Sequence, residues 1–473
     1  MTFDISHITG LTSDSRQVRP GFLFVALTGA KLDGRSFIAD AIAKGAKYIA
    51  AKTGVSIQNI GNVIQIEADN PHQFLSETAS LFYKNQPSKI VAVTGTNGKT
   101  STVNFARMIW VALGYKAASL GTLGLIGDGL DGYAGMTTPD PVSLFLNLSD
   151  ISHKGFTHLA MEASSHGLHQ HRLDGVRVGA AGFTNLTRDH LDYHGTMEKY
   201  LEAKLRLFTE ILNKNGTAVL NADIPEFQTI LQHLKPLSIH VISYGFASHA
   251  DIKIIDRVAI SSGQDVTLDI HGKVYEFHLN LVGTFQLMNV LCAVGLIISD
   301  KSISVDKVMQ ALQNIQGIIG RLQPVPHDHK NIGVYIDYAH TPDGLETILK
   351  ALRPHTKNKL ICVFGCGGDR DRGKRPVMGE IAQRLSDVAI ITDDNPRTED
   401  PQFIRTEILS GAPNSIEIAG RRNAIQFAVK NLKAGDVLVV AGKGHEQGQI
   451  FADYTEPFDD LTETQSALHS LSL

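Results

Sequence analysis

The chain has 473 residues, 43% of them hydrophobic and 19% charged, with a formal net charge of -4. That length suggests roughly two to four domains, each large enough for its own core, and the charge balance gives no support to nucleic-acid binding. Local basic clusters could still hold small acidic substrates. The three cysteines, Cys292, Cys362 and Cys366, form neither an extracellular disulfide framework nor a metal-ligand cluster, and read as reduced core or near-site residues. The N-terminal MTFDISHITGLTSDSR lacks the apolar run of a secretory signal, and later apolar runs fall short of about 18 residues or carry polar interruptions. A cytoplasmic, soluble chain with no integral membrane segment is expected, working as a monomer; peripheral membrane association stays open.

Residues 1–87 read as a first domain. A strand is expected at Phe22–Leu27, then a glycine-bearing loop, a helix from about Arg35 to Lys44, and a further strand in GNVIQIEADNP. Ser13, Ser15 and Arg16 are candidates for polar substrate contacts or for a turn that satisfies its own backbone. Pro87 marks a boundary.

The next region, 88–318, has a βα rhythm. KIVAVTGTNGKTSTVNFARMIW is a short apolar strand, a glycine turn and an amphipathic helix, the setting in which backbone N–H groups and a helix N-terminus hold phosphate. Lys99 is placed to reach phosphates and Thr100 to offer a hydroxyl to magnesium. The pattern G-x-x-x-x-G-K-[ST] is not fully met, because Val93 occupies the position of its first glycine. GTLGLIGDGLDG and MTTPDP read as loops. FTHLAMEASSHGL reads as a strand ending near Met161, so that Glu162 and Ser164 fall in a loop beyond a strand's carboxyl end, where ligands collect in parallel sheets. A further strand ends around Phe183, a polar loop carries Asp189 and His190, and Met197–Phe208 has a helical pattern. His190 could bind a metal, orient ATP or hydrogen-bond within its loop. Lys204, among Leu201, Leu205 and Phe208, reads as a lysine snorkelling from the edge of a packed helix. TAVLNAD and VISYGF are further strands, Asp251–Leu281 looks like a smaller sheet, and LVGTFQLMNVLCAVGLIIS is helical, with Asn289 a capping, core or adenine-facing amide.

A last domain, 319–473, repeats strand-to-loop units at GVYIDYAHTPD, LICVFGCGGDRDRGKRP, AIITDDNPRTEDP and DVLVVAGKGHEQ. These imply an open, mostly parallel sheet with helices.

Taken in order, VTGTNGKTS, MEASSH, DHLDYHG, EAKLRLF, RLQ, IDYAHTPD, FGCGGDRDRGKRP, DDNPR and GKGHE resemble the ATP-dependent Mur ligase family, of which folylpolyglutamate synthases are relatives. With SDSR and TTPDP, the resemblance covers nearly the whole chain. It implies an α/β fold of three domains: an N-terminal UDP-substrate domain, a central P-loop ATPase-like domain with a parallel sheet, and a C-terminal Rossmann-like domain. The implied activity joins meso-2,6-diaminopimelate to UDP-N-acetylmuramoyl-L-alanyl-D-glutamate through an acyl phosphate made from ATP. The alternatives are L-lysine as the amine, a folylpolyglutamate synthase-like ligase, or a regulatory protein that binds nucleotide without ligation.

The resemblance also implies residue roles. Gly95, Thr96, Asn97, Gly98, Lys99, Thr100 and Ser101 would cradle ATP phosphates, with Asn289 on adenine and Arg321 and Asp337 supporting the nucleotide. Lys99, Glu162, His190 and Lys204 would be catalytic. Thr100, Glu162, His190 and Lys204 would serve magnesium, Lys204 as a lysine carbamylated by carbon dioxide. Ser15, Thr137, Thr138, Ser164, Gln170 and Arg172 would bind the UDP-linked acceptor. Arg370, Asp394, Asn395, Arg397, Gly442 and Glu446 would bind diaminopimelate, Arg397 pairing with its distal carboxylate and Glu446 with its distal ammonium.

Overall fold

The computed structural model describes residues 4–29, 33–55, 61–130, 136–260, 263–329 and 331–470. Residues 30–32 of the first glycine-bearing loop and 131–132 at the end of GDGLDG lie outside the described residues. The chain divides into two compact units, one of Met1–Lys253 with Met288–Ala311, the other of Ile254–Leu287 with Leu312–Leu473.

The first unit opens with a four-stranded parallel sheet, Leu11–Thr12, Leu23–Val25, Tyr48–Lys52 and Ile64–Ala68, in that spatial order. The expected Phe22–Leu27 strand is thus shorter, and the expected helix begins as a 3-10 turn at Gly34–Phe37, started by the Asp33 carboxylate, before Ile38–Ala43. Helix Pro71–Tyr83 follows, its start fixed by proline in the first turn and by Asn70, which accepts the His72 and Gln73 N–H groups. Ser76 donates its hydroxyl to the His171 carbonyl and Gln86 its amide to that of Gly175, tying this helix and its exit to the larger sheet's loops.

The larger sheet of this unit runs His240–Gly245, Leu212–Asn221, Val178–Phe183, Lys89–Thr94, His158–Glu162, Ala117–Gly121 and Gly124–Ile126. All neighbours are parallel except the last pair, a hairpin in a stretch that the sequence suggested was loop. Strand Lys89–Thr94 sits between two later strands and is buried from Ile90 onward, as a strand covered on both faces requires. Its helix crosses over His158–Glu162 to reach Ala117–Gly121, while His158–Glu162 connects to the other side. The sheet therefore changes direction at the carboxyl end of Lys89–Thr94, the crevice where doubly wound sheets bind ligands. Strand Ile252–Ile260 starts by pairing with His240–Gly245 through Tyr244–Ile252 and Gly245–Lys253, so it begins on this sheet's edge and not in a separate small sheet. Thr196 caps helix Met197–Arg206, which passes into a π-type turn at Leu207–Ile211 that buries Leu207, Phe208 and Ile211.

The second unit contains the hairpin Gly263–Ile270 with Lys273–Leu279 and a six-stranded sheet. The latter runs Gln323–Pro324, Gly333–Asp337, Val437–Ala441, Leu360–Phe364, Val388–Ile391 and Ile416–Glu417, parallel but for its first edge strand. One face packs on helices Pro342–Leu352 and Lys374–Leu385, the other on Arg421–Lys430 and Asp460–His469. All three cysteines are free and buried, and burial pushes their thiols up to about 12. No described helix is long and apolar enough to cross a membrane.

Candidate active site

In the first unit the loop after strand Lys89–Thr94 needs glycine twice. Gly95 (φ +142°) and Gly98 (φ +87°) hold backbone conformations that side chains rarely adopt. A β-carbon at Gly95 would overlap the Thr184 hydroxyl, and one at Gly98 the Asn289 side chain. Val93, where the usual pattern has glycine, is a buried strand residue paired with Glu162 and Gly182. The tight turn thus starts two residues later. Asn185 accepts the Thr96 N–H on its carbonyl and the Asn97 N–H on its Oδ1, both at 2.9 Å, while Thr184 donates to the Asn97 carbonyl at 2.6 Å. Helix Lys99–Ala112 starts at Gly98 with no side-chain cap, which leaves a positive helix end toward the loop. Lys99 Nζ donates to the Gly95 and Thr96 carbonyls at 2.9 and 2.8 Å. Thr100 and Ser101 are buried in the first turn, and Asn289 is buried against the loop at Gly98.

Lys204 reaches the same loop from helix Met197–Arg206. It is fully buried, donates to the Gly95 carbonyl at 2.9 Å, and lies over the Tyr200 ring at 4.1 Å. Burial, and behind it the Lys99 charge, drives its pKa well below that of an ordinary lysine. That shift favours the neutral, nucleophilic form of the amine. Tyr200, whose hydroxyl is pushed up to about 12 by burial, starts a group of rings that includes His194, His166, Tyr193 and His190. His190 sits in the left-handed region (φ +52°) beside Asp189, with Nε2 3.4 Å from that carboxylate. His194 donates to or accepts from Ser165 Oγ at 3.0 Å, and burial followed by neighbouring imidazoles lowers it to about 4.

Glu162 ends its strand instead of following it, is buried, and is paired in register with Val93 of the neighbouring strand. Magnesium takes oxygen donors and is commonly held by one or two carboxylates together with substrate phosphates. Glu162 and the Thr100 hydroxyl supply that donor type next to the loop. Among the described residues no three His, Cys, Asp or Glu side chains gather as a metal cage. One buried carboxylate and one hydroxyl are donors that suit an ion taking its other oxygens from ligand phosphates.

Five of the six expected acceptor contacts belong to one hydrogen-bonded group that reaches Glu162 through Thr138 and Thr122. Thr138 Oγ1 donates to the Glu162 carbonyl at 3.1 Å and accepts the Ser164 N–H at 3.0 Å. Arg172 donates to the Thr138 carbonyl at 2.6 Å and to Gln170 Oε1 at 2.6 and 3.1 Å. Thr137 Oγ1 lies 3.1 Å from Thr122 Oγ1. Ser15 is placed elsewhere in the chain, the buried first residue of an otherwise exposed 3-10 turn whose cap, Asp14, also pairs with Arg16.

In the second unit Asp337 is buried with both oxygens accepting backbone N–H groups, from Leu322 at 2.6 Å and Ala339 at 2.7 Å. Burial still lifts its pKa to about 6. The Arg321 guanidinium lies over Tyr338 at 5.0 Å, and its Nε is buried without a partner among the described residues, a donor free for an anion.

The strand-end loops of this unit bring together Asp394, Asn395, Gly442 and Glu446. Asn395 donates to Glu446 Oε2 at 2.8 Å, and a β-carbon at Gly442 (φ +116°) would press on Asp394 Oδ2. Arg397 (φ +52°) gives its N–H to the Ile450 carbonyl at 3.0 Å, and its guanidinium donates to the Gly368 carbonyl at 2.8 Å. Arg370 is exposed beside it and donates to the Asp369 carbonyl at 3.1 Å.

Two buried cations that motif reading passed over hold this arrangement. Lys443 donates to Asn395 Oδ1 at 2.8 Å and Glu446 Oε2 at 3.0 Å. Arg375 donates to both oxygens of Glu399 at 2.8 and 2.9 Å, to Glu407 at 2.6 Å and to the Gly367 carbonyl at 3.1 Å. It thereby ties the GGDRD loop to the loop after DNPR. Both residues lie inside recognised motifs, which was the available signal.

Three family models match successive segments: Mur ligase family, catalytic domain, at 7–83; Mur ligase middle domain at 93–297; and Mur ligase, glutamate ligase domain, at 320–444. The chain is similar to the UDP-N-acetylmuramoyl-L-alanyl-D-glutamate–2,6-diaminopimelate ligase of Caulobacter vibrioides, 49% identical over 98% of this chain and 96% of that protein. The ligase of the same name from Rhizobium meliloti is 47% identical over 98% and 95%. A solved structure of a ligase of that name superposes with a TM-score of 0.74 at 34% identity, covering 98% of this chain and 95% of the other. Mycobacterium tuberculosis folylpolyglutamate synthase, at 18% identity and TM-score 0.64 over 78% of this chain, shares the fold. With near full-length relatives at this identity and three family segments in order on the three-domain α/β architecture, the chain belongs to the Mur ligase family.

Proposed function

We propose that this protein is the ATP-dependent ligase that adds meso-2,6-diaminopimelate to UDP-N-acetylmuramoyl-L-alanyl-D-glutamate, a step of peptidoglycan precursor synthesis. The observation that carries the reading is the 49% identity, across 98% of the chain, to the Caulobacter vibrioides ligase of that name. Such a reaction consumes ATP and a UDP-linked precursor and belongs in the cytoplasm, where both are made. Residues 1–87, 88–318 and 319–473 are proposed as the acceptor, ATP and amine domains.

The γ-phosphoryl group of ATP passes to the D-glutamate carboxylate, and ADP leaves. An amino group of diaminopimelate attacks the acyl phosphate carbon, loses a proton, and expels phosphate as the amide forms. In this reading the helix end at Gly98–Ser101 and Lys99 offset phosphate charge, with Asn289, Arg321 and Asp337 placing the nucleotide. Thr100 and Glu162 would hold magnesium, which when bound offsets phosphate charge, with His190 and Lys204 as further proposed ligands. Lys204 has the chemistry to take up carbon dioxide: a neutral buried amine adds to it as a nucleophile, and the resulting carbamate is an oxygen donor. Thr137, Thr138, Ser164, Gln170, Arg172 and Ser15 are the proposed acceptor contacts. Arg397, Arg370, Asp394, Asn395, Gly442 and Glu446 are the proposed amino-acid pocket, Arg397 favouring a second carboxylate that L-lysine lacks.

The test is a product assay with the UDP-linked dipeptide, Mg-ATP and equal diaminopimelate and L-lysine. Diaminopimelate incorporation with equimolar ADP is expected. L-lysine incorporation alone, or ATP turnover without an amide product, overturns the reading.

A further inference from the structure

The Glu162 carboxylate is gripped by a residue with no role in the scheme above. Thr122, the first residue past strand Ala117–Gly121, donates its backbone N–H to Glu162 Oε1 at 2.8 Å and its hydroxyl to Oε2 at 3.2 Å. One residue thus fixes both oxygens. Its neighbour Gly121 makes this approach possible, because a β-carbon there would overlap Oε1. On its other side Thr122 Oγ1 lies 3.1 Å from Thr137 Oγ1. A hydroxyl has one proton to give. Since Thr122 gives its proton to the carboxylate, Thr137 must give its own to Thr122, and the contacts run in one direction from Thr137 through Thr122 to Glu162. The main chain repeats the connection, with Thr138 holding the Glu162 carbonyl and Arg172 holding the Thr138 carbonyl.

We infer that Thr122 is a positioning residue that couples acceptor binding to the affinity of Glu162 for a divalent cation. This rests on the ligase reading for the roles of Thr137 and Glu162. The sign follows from the chain. An acceptor oxygen that takes the Thr137 proton removes a donor from Thr122, which weakens the Thr122 hydroxyl as a donor to Glu162. The carboxylate then has more electron density for a cation, so acceptor tightens metal. By linkage, metal tightens acceptor by the same factor.

The experiment titrates Mn2+ by electron paramagnetic resonance into enzyme with ADP, with and without the UDP-linked dipeptide. Wild type, Thr122→Val, Thr122→Ser and Thr137→Val are compared, with a melting curve for each. Thr122→Val keeps the backbone N–H and the side-chain shape while removing the hydroxyl. Expected are acceptor-tightened Mn2+ binding in wild type by about 5-fold or more, loss of that tightening in Thr122→Val and Thr137→Val, and its return in Thr122→Ser. Equal tightening in wild type and both valine variants overturns the inference, as does absence of tightening in wild type. If Thr122→Val does not fold, Thr137→Val decides, measured at a dipeptide concentration that saturates it because Thr137 is itself a proposed acceptor contact. A wild-type enzyme that makes the amide product while the valine variants keep the coupling sinks this inference only; a wild type that makes no such product sinks the ligase reading.

Discussion

Lys99 and Lys204 donate to one oxygen, the carbonyl of Gly95, each at 2.9 Å. Two ammonium groups cannot share a carbonyl at low cost, and burial together with the Lys99 charge pushes the Lys204 pKa well below that of an ordinary lysine. An amine whose charged form is disfavoured is thereby placed at the base of the loop after strand Lys89–Thr94. Lys204→Ala is expected to lower kcat on the order of 100-fold with little change in ATP affinity, and Lys204→Arg not to restore it, since a guanidinium stays charged. Steady-state kinetics with labelled bicarbonate, followed by nuclear magnetic resonance, reads both the rate and the carbamate. Full activity in Lys204→Ala would remove the residue from the mechanism.

Gly95→Ala places a β-carbon against Thr184 at a φ of +142°. Strained backbone of this kind costs about 1–3 kcal/mol. A lower melting temperature and weaker binding of a nonhydrolysable ATP analogue are expected together, measured by calorimetry; a variant with wild-type nucleotide affinity would show that the turn tolerates the change.

His194 is held neutral in the fold, at about 4 against an ordinary value of 6.5. The unfolded chain therefore binds its proton first, and stability present above 6.5 is lost as pH falls toward 4. Asp337, raised from 3.8 to about 6, acts with the opposite sign over an overlapping range, so the useful quantity is a difference between variants. Melting curves of wild type and His194→Gln should diverge, with wild type losing more degrees between pH 6.5 and 4. Parallel curves would show that His194 does not titrate in this way.

Arg397 is oriented by its backbone bond to Ile450 and its side-chain bond to Gly368. A charge-assisted pair with a carboxylate contributes about 1.5–3 kcal/mol, or roughly 10- to 150-fold in affinity. Arg397→Ala should raise the KM for diaminopimelate by that factor while leaving any weak use of L-lysine unchanged. Competition assays that show unaltered preference would contradict the assignment.

Lys443 is buried with its ammonium on Asn395 and Glu446. Lys443→Met should raise the KM for diaminopimelate by about 10-fold and lower the melting temperature, with the KM for ATP little changed. An equal rise in both KM values would point to general loosening instead of a role in the amine pocket.

Much of this molecule was legible from local sequence. Strand, glycine turn and helix at 89–112, the strand-end position of Asp337 and of the loops carrying Asp394 and Gly442, and the reduced state of the cysteines all follow from apolar runs and turn chemistry, which act over a few residues. The hairpin at Ala117–Ile126 and the placement of Ile252–Ile260 on the larger sheet's edge did not, because strand pairing depends on partners distant in sequence.

The sequence by itself determined the residue types at the site: glycines for a tight phosphate turn, oxygen donors near its end, and an arginine and a carboxylate in the last domain. Only the tertiary structure decided their chemical state. Lys204 has its charged form disfavoured because helix Met197–Arg206 buries it against Gly95 and Tyr200 and sets Lys99 beside it. Thr122, distant from Glu162 in the chain, grips that carboxylate because parallel strands bring their carboxyl ends together. Charge state and hydrogen-bond direction depend on what surrounds a group in space, and that is what the fold supplies.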